Sequence, residues 1–164
     1  MPQSNIVIEP FDGNQKVADA VAKLHLEVRR KQRADGESDF HGRIRSSQAD
    51  LKAMQDYYIE PGGNFFIAWE IASGEIAGFI GVKKIGGAEG QIRRMAVMPT
   101  YRRQGIGTRL ARTAVAWAKD AGFRRLHVAT GEKEKAIHIY KSAGFEEVGR
   151  DPKRGDILLS LNLT

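Results

Sequence analysis

Residues 97–110 read VMPTYRRQGIGTRL: a valine and a proline, an arginine pair, two glycines one residue apart, then a run with helical spacing. The chemistry this suits is the holding of a diphosphate. Gly105 and Gly107 remove side chains where the chain turns into a helix, so successive N–H groups can point at one anion and the helix dipole adds partial positive charge. Two other phosphate loops are excluded by their own spacings. A Walker loop needs Gly-Lys-Ser/Thr at its end, and Gly107 is followed by Thr108 and Arg109. The dinucleotide fingerprint needs a third glycine where Leu110 stands.

The order that remains is Arg-x-x-Gly-x-Gly over Arg102, Arg103, Gln104, Gly105, Ile106 and Gly107, after a Val-x-Pro strand exit at Val97 and Pro99. It resembles the acyl-CoA pyrophosphate loop of the GNAT superfamily of N-acyltransferases. A second segment agrees. Residues 136–145 read AIHIYKSAGF, similar to the family's Ala-Ile-x-x-Tyr helix and its Gly-Phe ending, and they follow the loop by about thirty residues in the family's order. Ala136, Ile139 and Tyr140 share one helical face, and Gly144 supplies a left-handed stop.

The resemblance implies acetyl-CoA as co-substrate. On the family's pattern, Arg103, Gln104, Gly105, Ile106, Gly107 and Thr108 give main-chain contacts to the diphosphate, and Arg102 supports the loop or reaches a phosphate. The main chain of Met95, Ala96 and Val97 would bond the pantetheine amides and polarise the acyl carbonyl. The implied reaction is transfer of the acetyl group to a primary amine of a small molecule, amino acid or peptide, by direct attack in a ternary complex. Tyr140 is then the group that protonates or hydrogen-bonds the departing sulfur. One family feature is missing: the glutamate common six residues before the valine is Gln91 here, which cannot take a proton. Glu89, directly or through a water, is the nearby candidate base, in a glycine-rich stretch read as a turn. The asparagine often found seven residues before the tyrosine is Lys133. The alternative reading is a non-catalytic acyl-CoA-binding or sensing module, which Gln91 favours and the retained Tyr140 opposes.

Other side chains add less. His25 falls on the first helix, His41 in a polar loop, His127 on a strand and His138 beside Tyr140; no pair has a metal-ligand spacing, and no metal is expected. His127 and His138 are candidate members of the site. In the polar loop, Asp35, Glu37 and Asp39 would suit a cationic amine, while Arg43 and Arg45 would suit a carboxylate, so the signs oppose. Trp69, Tyr57 and Tyr58 are candidate walls of an acceptor pocket.

The elements that must position these residues follow from composition and periodicity. At 164 residues the chain reads as a single domain, 1–164, with a core of its own. It has no cysteine, which excludes disulfides, thiolate metal sites and a cysteine nucleophile. The net charge of +6 asks for an anionic partner, and coenzyme A is one. Arg93, Arg94, Arg102, Arg103, Arg109 and Arg112 crowd the region of the loop, two or three of them expected at the cofactor. The charge would also draw nucleic acid, but no helix-turn-helix, zinc or aromatic RNA-binding pattern accompanies it. The first residues lack the apolar core of a signal peptide and no apolar run approaches a membrane span of about 20 residues, so a cytoplasmic protein off the membrane is expected.

A strand over 5–9, a helix over 14–31 with its stripe at Val17, Val21, Leu24 and Val28, a long polar connection over 33–47 and a second helix on Leu51, Met54 and Tyr58 come first. Strands over 64–71 and 75–85 form a hairpin, and 91–98 feeds the loop. A helix from Ile106 ends at Gly122, and a strand over 125–130 makes a right-handed crossover with parallel pairing. Strands over 146–149 and 156–163 close the chain. The expected fold is α/β: a GNAT-like mixed, mostly antiparallel sheet of about seven strands with a splayed central parallel pair, and about four helices. Many relatives pair through their terminal strands, which is where a homodimer would form.

Overall fold

The computed structural model describes residues 5–34, 48–131 and 133–164, without the side chains of 32–34. The polar connection with Asp35, Glu37, Asp39, His41, Arg43 and Arg45 lies outside the described residues. Seven strands form one sheet in the order β1-β2-β3-β4-β5-β7-β6. They are β1 (Ile6–Pro10), β2 (Asn64–Glu70), β3 (Ile76–Gly86), β4 (Glu89–Val97), β5 (Arg125–Thr130), β6 (Glu146–Arg150) and β7 (Ile157–Asn162). Among the described residues only the β4–β5 pairing is parallel. The helices are α1 (Gln15–Ala34), the single turn α2 (Ala49–Lys52), α3 (Ile106–Asp120) and α4 (Glu134–Ser142).

Alternation along the strands sends side chains to two faces, and each face builds its own core. On one, Tyr58 meets Phe65 edge to face at 5.1 Å, Phe65 stacks on Phe79 at 6.0 Å, and α1 adds Ala18, Val21 and Ala22, all almost fully buried. On the other, Trp117 of α3 lies between Phe66 (6.0 Å) and Phe123 (5.6 Å), beside buried Leu110 and Ala114. Each such ring contributes roughly 2–3 kcal/mol through burial. This two-sided packing fixes the plane of the sheet and hence the direction in which β4 presents its side chains.

Two expectations need correction. Leu51, Met54 and Tyr58 are fully buried as their spacing predicts, but the segment is not one helix. After α2 the chain widens into a π-helical turn over Gln55–Ile59, closed by the Glu60 N–H on the Gln55 carbonyl at 2.9 Å. The stripe reports which residues are buried, and a wider turn satisfies it equally well. The glycine-rich stretch is also shorter than read: Gly86 and Gly87 turn the chain with positive φ, while Glu89 and Gly90 already belong to β4, opposite Arg125 and Leu126 of β5. Glu89 therefore sits in the sheet and not in a turn.

Candidate active site

The centre of the molecule is where β4 and β5 part. Their parallel pairing covers only Glu89, Gln91 and the glycine between them, against Arg125, Leu126 and His127. From Ile92 onward, β4 has no strand on its β5 side, although β5 continues to Thr130. A bulge sharpens the departure: Phe79 and Gly81 of β3 oppose Ala96 and Arg93, so β4 carries one extra residue, and Arg94 takes φ +60° to absorb it. Ala96 and Val97 are thus paired with β3 on one side, Met95 lies in the bulge before them, and the β5 side of all three is an open strand edge.

Past Val97, Pro99–Tyr101 make a 3-10 turn and the loop enters α3. Arg103 (φ +65°) and Gly105 (φ +74°) are both left-handed, which folds the backbone back ahead of the helix. Around Gly105 the space a Cβ would occupy is open, with no heavy atom within 4 Å. No side chain caps the α3 N-terminus and no acid lies in its first turn, so its N–H groups keep the partial positive charge that an anion seeks. Arg102 donates from Nε to the Val97 carbonyl at 3.3 Å. Gly107 has a different reason to be glycine. It lies within α3, and a Cβ there would come within 2.9 Å of Ile139 Cδ1, so its absence lets α3 and α4 approach. Ile106 is only 2% exposed, its side chain part of the core; Gln104 and Thr108 are half-buried and Arg103 exposed.

That close approach seats Tyr140 on α4. It is 4% exposed, packs edge to face on Phe145 at 5.7 Å, and its hydroxyl has no hydrogen-bond partner among the described residues. Burial raises the phenol above the ordinary tyrosine range, so it holds its proton throughout the neutral region. These features fit acetyl-CoA: an uncapped helix start behind an open left-handed glycine, an unpaired strand edge, and an unpartnered phenol.

The face of β4 that looks toward α2 and the π-helical turn is polar. Glu89 bonds His127 across the parallel pair at 2.9 Å, and Gln91 follows on the same face. Arg93 donates from Nε to Gln91 Oε1 at 2.6 Å and from a terminal nitrogen to the Tyr57 hydroxyl. Arg94 closes an ion pair with Asp50 at 2.8 Å, and the same carboxylate accepts the Tyr58 hydroxyl at 2.7 Å. The sequence did not single out Asp50, Lys83 or the grouping of Arg93 with Tyr57. The signal that could have found it is two adjacent arginines inside a strand, where one must leave the alternation. Arg93 and Arg94 thus belong to this face and not to the loop, and Arg109 donates to the Ile6 carbonyl at 3.1 Å.

Of the remaining candidates, Tyr58 is core, His138 is exposed on α4, and His25 is buried with Nδ1 3.1 Å from Gln48 Oε1. Trp69 lines a groove of about 740 Å³ between α1 and the segment 98–101, away from Arg93 and Gln91. Among the described residues no three His, Asp or Glu side chains gather as a metal site, and no helix is long and apolar enough to cross a membrane.

An open parallel strand pair, a left-handed loop before a helix, and a tyrosine on the next helix are the features that the resemblance to acyl-CoA-dependent transferases implies. Comparison with known proteins makes this specific. The sequence model of the acetyltransferase (GNAT) family matches residues 29–145, and the chain belongs to that family. N-acetyltransferase family 8 member 2 of Rattus norvegicus is 29% identical over 108 residues, covering 62% of this chain and 47% of the relative. The chain spans about half the length of several of the curated relatives it matches. Among solved structures, a GNAT-family acetyltransferase of Staphylococcus aureus Mu50 superposes with a TM-score of 0.80 at 22% identity, over 98% of this chain and 100% of the other. The structure of yncA from Salmonella typhimurium with its cofactor acetyl-CoA gives 0.77 at 15% identity, over 98% and 95%. These two share the fold.

Proposed function

We propose that this chain transfers the acetyl group of acetyl-CoA to a primary amine by direct attack in a ternary complex. The observation that carries the reading is the opening of β4 from β5 beside an uncapped helix start, which offers main-chain donors and acceptors along one path from diphosphate to thioester. Acetyl-CoA supplies the activated acetyl group. Gly105, Gly107, Arg103, Gln104, Ile106 and Thr108 hold the diphosphate through the main chain, Arg102 braces the loop, and Met95, Ala96 and Val97 align the pantetheine arm and polarise the carbonyl.

The amine nitrogen bonds to the acetyl carbon, the carbon–sulfur bond breaks, one proton leaves the amine and one is needed at sulfur. Tyr140 serves the sulfur. Its raised phenol holds a proton more tightly than an ordinary thiol of pKa about 8.5 does. Of the two roles implied for it, hydrogen bonding to the departing sulfur therefore fits better than complete proton transfer, and the sulfur leaves as a thiolate that takes its proton from solvent. At the other end, Glu89 with its partner His127 takes the amine proton through a water, in place of the glutamate that Gln91 replaces.

Release of free thiol from acetyl-CoA across a panel of amines, amino acids and peptides tests the reading. Turnover with at least one acceptor is expected. A protein that binds acetyl-CoA and releases no thiol with any of them is the sensing module that Gln91 would suit.

A further inference from the structure

The polar face of β4 carries two cations that the transfer reaction, as derived above, does not use. Lys83 of β3 lies directly opposite Gln91 of β4, and Arg93 lies two residues further along β4 on the same face. Tyr57, presented by the π-helical turn, stands between them: its carbonyl accepts Lys83 Nζ at 2.8 Å, its ring lies 4.1 Å from that nitrogen, and its hydroxyl accepts Arg93. Both cations are half-buried, and among the described residues neither has a carboxylate partner. The contrast with Arg94, one residue on and fully paired with Asp50, is direct. Two neighbouring cations held in place by neutral oxygens and a ring, in a partly desolvated position, are a pair waiting for an anion. Their place is defined as well: Arg93 immediately precedes the bulge that leads into Met95, Ala96 and Val97, where β4 has already parted from β5.

We propose that Arg93 and Lys83 form a carboxylate subsite for the acceptor, so that the amine acetylated belongs to an amino acid or a close derivative carrying a free carboxylate near its amine. The proposal rests on the transfer reading for its geometry, since the carboxylate must sit where the amine can reach an acetyl group aligned by residues 95–97. Tyr57 is a positioning residue, fixing Arg93 through its hydroxyl and Lys83 through its carbonyl and ring.

The test compares each standard amino acid with its own amide, in turnover by thiol release and in binding by calorimetry to the protein saturated with coenzyme A. The expected result is acid preferred over amide by roughly ten- to a hundredfold in kcat/KM and in affinity. In Arg93→Gln and in Lys83→Met that ratio collapses toward one, mainly through KM, whereas Lys119→Ala, an exposed cation on α3, leaves it intact. Arg93→Lys, which keeps charge but loses the fork, retains part of it. Equal use and equal binding of acid and amide by the unaltered protein overturn the subsite. Acid-selective binding without thiol release upholds the subsite and defeats the transfer reading.

Discussion

The two sides of the β4–β5 opening are built from different materials. Toward α3 and α4, the contacts that matter are main chain: an open strand edge, a left-handed glycine, the first N–H groups of a helix. Toward α2 they are side chains drawn from distant segments: Asp50, Tyr57, Lys83, Arg93 and His127. The difference teaches where variation is cheap. A backbone cradle recognises a ligand common to a whole family and tolerates change in most of its side chains. A side-chain constellation can be rewritten one residue at a time and so can follow the acceptor.

The largest effect is expected where the cradle is most exacting. Gly105→Val places a β-branched residue at φ +74° and fills the open space ahead of α3. Left-handed backbone costs such a residue about 1–2 kcal/mol, and the anion loses its approach, so acetyl-CoA affinity should fall on the order of 100-fold. Calorimetry measures this, and unchanged affinity would mean that the diphosphate does not lie there.

The side toward α2 shows its character through pH. His25 is buried beneath it and its pKa is lowered to about 4 by burial first, then by the cations Arg94 and Arg29. Between the unfolded value of 6.5 and that folded value, the unfolded chain binds the extra proton. Stability is therefore complete above pH 6.5 and is lost as pH falls toward 4, by about 3 kcal/mol. Urea unfolding at pH 7 and pH 4.5 should show that drop, and His25→Asn should flatten it; equal slopes in both proteins would remove His25 as the cause.

Tyr140→Phe probes the boundary between the two sides. It removes one hydroxyl from a side chain that is otherwise packed on Phe145. Turnover should fall about ten- to a hundredfold, with acetyl-CoA affinity within roughly twofold of its original value. A matching loss in affinity would instead make the phenol a binding group.

This contrast also explains what could be read from the chain. The cradle was legible because glycines and a helix start lie within a few consecutive residues, and local sequence determines local backbone. Most strands and helices followed from hydrophobic periodicity, and the parallel crossover from the succession of strand, helix and strand. The face toward α2 was not legible, because Tyr57 meets Arg93 across 36 positions and Arg94 meets Asp50 across 44, contacts that only the folded sheet creates. The bulge at Arg94 was hidden for a related reason: nothing in a strand-like run marks which residue will leave the alternation. Glu89 was misplaced because three nearby glycines suggest a longer turn than the one that forms.

The smallest expected effect separates two reasons for glycine inside one motif. If Gly107 were required for anion approach alone, Gly107→Ala would impair acetyl-CoA binding and leave the fold untouched. The structure instead puts a new Cβ 2.9 Å from Ile139 Cδ1, at the contact that seats α4. Cδ1 is the free end of a half-buried side chain and can swing aside, so the cost is a fraction of the about 1–3 kcal/mol of rigid overpacking and is offset by about 1 kcal/mol of helix propensity; a stability change within about 1 kcal/mol of zero is expected. Ile139→Val removes the atom in question. In the double variant the alanine should be stabilising by up to about 1 kcal/mol, and its difference from the single variant, read in a double-mutant cycle by chemical unfolding, is the cost of moving Cδ1. Strict additivity would place the clash elsewhere. It would also detach the position of Tyr140 from the glycine motif that, on this geometry, sets how closely α4 can approach the loop.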